Sequence, residues 1–217
     1  MKNYFLFILF LFSSCTKTLV DYSITSHTVK EGESLHYIAW IYRVKHEDLI
    51  LLNDIDNPNF IYPGQKLLIR GSRNVAVSEN YIQDTTLFDN EIIETHTWIL
   101  PANGLVIRKF NEDLLLGSGI AIRGSVGDNI YATLPGEVVY SGSGLTSYGN
   151  LIIIKHGDAF LTAYGFNKDL LVSEGDEVIA GQIISHMGEG PGNLPQLHFE
   201  IRENGTPINP MLFIDFY

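Results

Sequence analysis

Gln196-Leu197-His198-Phe199-Glu200-Ile201-Arg202 is the stretch on which the fold turns. Alternate residues of a β-strand share a face, so Leu197, Phe199 and Ile201 point one way while Gln196, His198 and Glu200 point the other. A His-x-His strand would set two imidazoles side by side, one able to hold zinc and one able to assist chemistry. Here the first of the two positions is Gln196, an amide.

Outward from this strand, the chain from Trp98 onward is a series of short β-rich runs between Gly and Asn turns. They are Leu105 to Phe110, Gly119 to Ile122, Glu137 to Tyr140, Leu151 to His156, Ala159 to Tyr164 and Leu197 to Arg202. Regular short strands with such punctuation predict a mainly antiparallel all-β domain over 98–217. Its ordered landmarks are Gly136-Glu137-Val138-Val139-Tyr140, Tyr148-Gly149-Asn150-Leu151, Gly181-Gln182, Leu197-His198-Phe199-Glu200 and Asn209-Pro210. Together they resemble the LytM (M23) zinc peptidases, which cut peptidoglycan cross-bridges.

The resemblance locates what is missing. Active members write His-x-Gly-x-Asp on the strand that supplies two zinc ligands; here it reads Gly117-Ser118-Gly119-Ile120-Ala121. A further catalytic histidine follows Tyr-Ala in the family, and here the run is Tyr164-Gly165-Phe166. Only His198 of the ligand set remains. A catalytic zinc needs three protein ligands and an open position for water. No metal, cofactor or catalytic residue is therefore expected. His156 and His186 lie in the same domain, but nothing in the sequence sets them beside His198, and surface or packing roles suit them. The glycine-rich stretches 142–149 and 188–192 lack a strand–GxGxxG–helix setting and read as loops at the cleft rim. The expected remnant is a shallow groove of Gly117, Ala121, Tyr164, Phe166, Gln196 and His198, suited to an apolar helix face or an extended peptide. Phe166 reads either as an interface anchor or as filler for the lost metal site.

Upstream, residues 27–70 predict a β-α-α-β unit. His27-Thr28-Val29-Lys30 is a strand, and Ser34 is a good N-cap for a helix through Leu35, Ile38, Ala39 and Tyr42. A second helix starts near His46 and stops near Asn53, and Lys66 to Ile69 closes the unit after the turn Tyr62-Pro63-Gly64-Gln65. With Gly32-Glu33-Ser34-Leu35, Leu52-Asn53 and Ile61-Tyr62-Pro63-Gly64-Gln65, the segment resembles a LysM module, so the whole chain is of α+β class. The resemblance implies a glycan groove of Gly32, Glu33, Ser34, Leu35, Asn53, Ile55, Phe60 and Ile61. For Leu35 and Ile61, core packing explains the residue equally well; Phe60, in a loop, is the better contact. Residues 71–97 are acidic and polar and read as a linker, with an r.m.s. span of roughly 30 Å for a flexible chain of that length.

The net charge is -11 over 217 residues. So acidic a chain offers no electrostatic footprint for nucleic acid or for anionic lipid surfaces. At the N-terminus, Met1-Lys2, an uncharged run from Tyr4 to Phe12 and Ser13-Ser14 mark a secretory leader over 1–14. Cys15 follows at once and resembles a lipobox cysteine, with Phe12 replacing the usual Leu; the other reading is an ordinary leader beside an incidental cysteine. Residues 15–26 are a polar tether. Lipidation at Cys15 implies a membrane anchor, and Thr16 rather than Asp after it implies sorting to the outer membrane.

A lipoprotein leader, LysM and a degenerate LytM domain together resemble the NlpD family. That resemblance implies activation of a periplasmic zinc N-acetylmuramoyl-L-alanine amidase during splitting of septal peptidoglycan, with glycan strands, the amidase and the membrane as partners. An envelope-anchoring or scaffold lipoprotein that activates no amidase is the alternative.

Overall fold

A computed structural model of the protein describes residues 25–69, 97–111, 118–145 and 147–216. The leader, Cys15, nearly all of the expected linker and Gly117 lie outside these residues. The first unit runs β1 (Ser26–Thr28), α1 (Leu35–Tyr42), α2 (His46–Leu52) and β2 (Lys66–Leu68), with β1 and β2 antiparallel and His27 opposite Leu67. Ser34 caps α1 as its sequence implies: its backbone is extended and its hydroxyl accepts the Tyr37 N–H at 3.2 Å. At the other end Arg43, at φ 53°, turns the chain into the left-handed region and stops the helix.

The second unit contains β3 (Leu105–Arg108), β4 (Ile120–Arg123), β5 (Asn129–Tyr131), β6 (Gly136–Leu145), β7 (Gly149–His156), β8 (Phe160–Leu170), β9 (Glu177–Val178), β10 (Ile183–Met187), β11 (Glu189–Gly190), β12 (Leu194–Glu203) and β13 (Thr206–Ile208). The main sheet runs β3-β4-β12-β8-β7-β6-β9, and β10 extends it by pairing with β5 and β8. Every pairing among the described residues is antiparallel. The strand opened above is therefore central, with β4 on one side and β8 on the other. The stretch 142–149, expected as a rim loop, instead mostly continues β6 and begins β7. The two strands outrun their alternating cores because the hairpin ladder still pairs Leu145 with Gly149.

Period-two alternation sorts the side chains into two cores. Ile120, Ile122, Val138, Ile152, Ile154, Leu197, Phe199 and Ile201 fill the core under one face of the sheet. On the other face, Val139, Tyr140, Leu151, Ile153 and Ala163 share a cluster with Leu35, Tyr37, Ile38 and Trp40 of the first unit. The two units thus pack against each other. Tyr37 stacks on Tyr140 with ring centroids 4.4 Å apart, and the Ser34 hydroxyl donates to the Val139 carbonyl at 3.0 Å. Each large apolar side chain buried there contributes about 1.5–3 kcal/mol, enough for several of them to hold a small module in place.

Candidate functional site

Gln196, His198, Glu200 and Arg202 occupy one face of β12, and that face runs from an open groove to the underside of α1. At the open end, His198 stands opposite Ala121 on β4, and Ala121 stands opposite Arg108 on β3. A β-bulge creates this row. Leu105 pairs with Arg123 and Val106 with Ile122, but the register then slips so that Arg108, not Ile107, faces Ala121. Bulges commonly re-aim a side chain in this way. Ala121 is only a methyl, so the Arg108 guanidinium reaches across it and its Nη2 donates to His198 Nδ1 at 2.6 Å. Arginine has no acceptor atom, so Nδ1 accepts and the ring proton lies on Nε2. Nε2 donates to Glu200 Oε1 at 2.8 Å.

Glu200 is fully buried and anchors the row. Its Oε1 also accepts from the Tyr148 hydroxyl at 2.9 Å, and its Oε2 accepts from Arg202 Nε and Nη2 at 3.2 and 3.0 Å. Burial pushes this carboxyl up, but the His198 N–H and the Arg202 charge outweigh it and hold it well below the usual carboxylate range. Arg202 in turn lies over the Trp40 ring, 3.5 Å from its centroid, and donates to the Trp40 carbonyl. One file of side chains thus joins the groove to the first unit.

The groove is a cavity of about 450 Å³ lined by Arg108, Ser147, Tyr148, Phe166, Pro191, Leu194, Gln196 and His198. Phe166 sits at φ 63°, costly for an aromatic residue. Its neighbours hold it there: its N–H donates to the Tyr148 carbonyl at 2.7 Å and its carbonyl accepts from Gly188 at 2.9 Å. The Asn167 amide ties the same bend to the carbonyls of Asn150 and Tyr164 at 2.8 and 2.6 Å. Phe166 is half-buried, with its ring edge-on to His198 at 6.1 Å.

The structure brings Phe166, Gln196 and His198 together at the groove, with Ala121 beneath Arg108 and His198. Tyr164 does not join them. It is fully buried in the core under the opposite face, and its hydroxyl accepts the Thr133 N–H at 3.0 Å. β-strand alternation sends it inward while Gly165 faces His198. Tyr148 and Pro191 come from the two stretches expected at the cleft rim, whereas nothing in the sequence points to Arg108 and Leu194. Gly119, just before β4, is required by close approach: a Cβ there would lie 2.0 Å from the Phe199 carbonyl oxygen.

These residues do not fit a zinc ion. Both nitrogens of His198 are engaged, Ala121 has no donor, and the guanidinium at His198 Nδ1 is itself a cation. Among the described residues no cluster of three or more His, Cys, Asp or Glu is arranged to hold a metal. His156 lies elsewhere, between the Pro135 carbonyl and the Thr162 hydroxyl, and His186 pairs with Asp169.

In the first unit, the expected glycan residues divide. Ser34 and Leu35 lie against the second unit. Glu33 accepts from His27 Nε2 at 2.7 Å, and the Asn53 side chain is spent joining α2 to β2. Ile55 and Ile61 are half-buried against the shared cluster, while Gly32 is exposed and Phe60 is 77% exposed in its loop.

The sequence pattern of Peptidase family M23 matches residues 116–210, and that of the LysM domain matches residues 27–70. The chain is 33% identical over 206 residues to the uncharacterized lipoprotein YgeR of Escherichia coli, covering 89% of this chain and 82% of that one. It is 32% identical over 260 residues to the murein hydrolase activator NlpD of the same organism, covering 89% and 69%. Against the lipoprotein NlpD/LppB homolog of Pseudomonas aeruginosa it is 44% identical over 117 residues, covering 54% of this chain and 39% of that one. With its two units, their order and relatives matched over most of its length, the chain belongs to the NlpD family, a LysM domain followed by an M23 peptidase domain.

Proposed function

We propose that this chain is a non-catalytic activator of a periplasmic N-acetylmuramoyl-L-alanine amidase, acting in the splitting of septal peptidoglycan. The observation that carries the reading is the row Arg108–Ala121–His198: a guanidinium donates to the histidine across an alanine, at the floor of a groove that remains open. A groove walled by Tyr148, Phe166, Pro191 and Leu194 suits a partner's apolar segment. The relative named murein hydrolase activator supports the same direction. An activator need only bind the open state of its enzyme better than the closed one. LysM holds the protein on glycan strands, and a lipid on Cys15 anchors it to the envelope, at the outer membrane.

The test is dye release from labelled sacculi by a purified amidase of the same organism, with and without the full chain. Release should rise only when both are present. Release by the chain alone would restore catalysis to it, and an amidase left unstimulated would remove the activator role. A second reading, a wall-binding scaffold without an amidase, draws on the exposed Phe60 and Tyr62 of the LysM loops. It is favoured if the chain binds sacculi tightly and stimulates no hydrolase.

A further inference from the structure

We infer that the groove is a carboxylate receptor: Arg108, aimed across Ala121 at His198, takes the side-chain carboxylate of an Asp or Glu carried on an otherwise apolar partner segment. The inference rests on the groove being the partner site and specifies what that partner must carry.

Four observations support it. A guanidinium has five N–H donors, and the partner given to Arg108 here is one imidazole nitrogen, which is uncharged. Among the described residues no carboxylate pairs with Arg108. Glu200, on the other nitrogen of the same imidazole, is buried and already accepts from His198, Tyr148 and Arg202. The walls of Tyr148, Phe166, Pro191 and Leu194 are apolar, so a charge pair formed among them is screened less than one in open water.

The geometry selects the ligand. The arginine fork matches a planar carboxylate with two parallel hydrogen bonds. A single guanidinium among apolar walls suits a monoanion on a hydrocarbon stem better than a multiply charged phosphate. The bulge at Ile107 and the missing side chain at Ala121 are both needed to expose the fork. Without the bulge, Arg108 would not face Ala121; with an acid at 121, its charge would be answered internally.

The experiment is a titration of the full chain, followed by the NMR signals of the Arg108 Nε–H and the His198 ring. The probes are propionate and its uncharged isostere, propionamide. Propionate should shift both signals saturably and propionamide should not. Arg108→Gln should abolish the response, and Ala121→Asp, which supplies an internal carboxylate, should weaken it at least about tenfold. Equal responses to the two probes, or a propionate response that survives Arg108→Gln, would overturn the receptor. A second measurement separates this from the activator role. Arg108→Gln should raise the concentration of chain giving half-maximal amidase stimulation about tenfold with little change in the plateau. An unchanged concentration overturns the receptor alone. A wild-type chain that stimulates no amidase removes the activator role, while the propionate titration still decides the receptor.

Discussion

The two halves of one sheet face make an instructive pair. Strand β12 crosses both, and each half presents an arginine beside aromatic side chains. Under α1, Arg202 has a carboxylate from Glu200, a ring from Trp40 and a carbonyl from the same residue, and all of it is buried. In the groove, Arg108 has Tyr148 and Phe166 nearby but is exposed and, among the described residues, pairs with no acid. The covered half shows what a completed contact on this surface looks like: an aromatic residue and a counter-charge arriving together. The open half has the same ingredients on one side only.

The comparison can be broken at its strongest point first. Arg202→Met leaves the Glu200 carboxylate buried without its guanidinium and should cost about 3–5 kcal/mol, read as a lower midpoint in urea unfolding. A loss near zero would mean the covered half is not held by this pair. Next, Phe166→Asp should raise the concentration for half-maximal amidase stimulation about tenfold or more while the urea midpoint changes little, because the ring is half-exposed. Phe166→Asn is the matched control for folding, since asparagine tolerates the left-handed backbone that phenylalanine occupies at a cost. Its thermal midpoint should not fall. A smaller effect sharpens the covered half: a double-mutant cycle on Tyr37→Leu and Tyr140→Leu should return a coupling of about 0.5–1.5 kcal/mol. Additive losses would mean that the stacked rings contribute area alone.

The pH dependence is the gentlest test. Burial, then the charges of His46 and Lys155, lowers His36 to about 3, and burial lowers His156 to about 4. In the unfolded chain both would titrate near 6.5. The unfolded state therefore binds protons first as the solution is acidified, and stability falls with decreasing pH. Unfolding midpoints should be flat above pH 6.5 with respect to these two groups, then decline toward pH 4 and beyond. His156→Gln should flatten part of that decline, and an unchanged slope would place the protons elsewhere.

The sequence made the frame legible where side-chain period and backbone agree. Leu197, Phe199 and Ile201 alternate as a strand with one wholly apolar face must, and Ser34 caps α1 as its residue type implies. The motif alone misplaces Tyr164; counted along the strand, the same alternation turns it inward. Docking of the two modules was less visible, although a signal existed. Leu151-Ile152-Ile153-Ile154 is apolar on both faces, which a strand needs only when both faces are covered. Tyr148 was read as a fold landmark; its hydroxyl bond to Glu200 depends on contacts 52 residues apart. Arg108 could not be found by counting at all, since a bulge changes the count.

That bulge has a consequence for how such a site could be gained or lost. A strand keeps its faces in phase by twos, and Ile107 is the one residue of slack that puts Arg108 in line with Ala121 and His198. Bringing Ile107 into register would set it opposite Ala121 and turn Arg108 away from His198 without altering any residue of the groove. The chemistry of this floor is therefore set as much by strand register as by composition, and a change that closed the bulge would act here as a whole-site mutation.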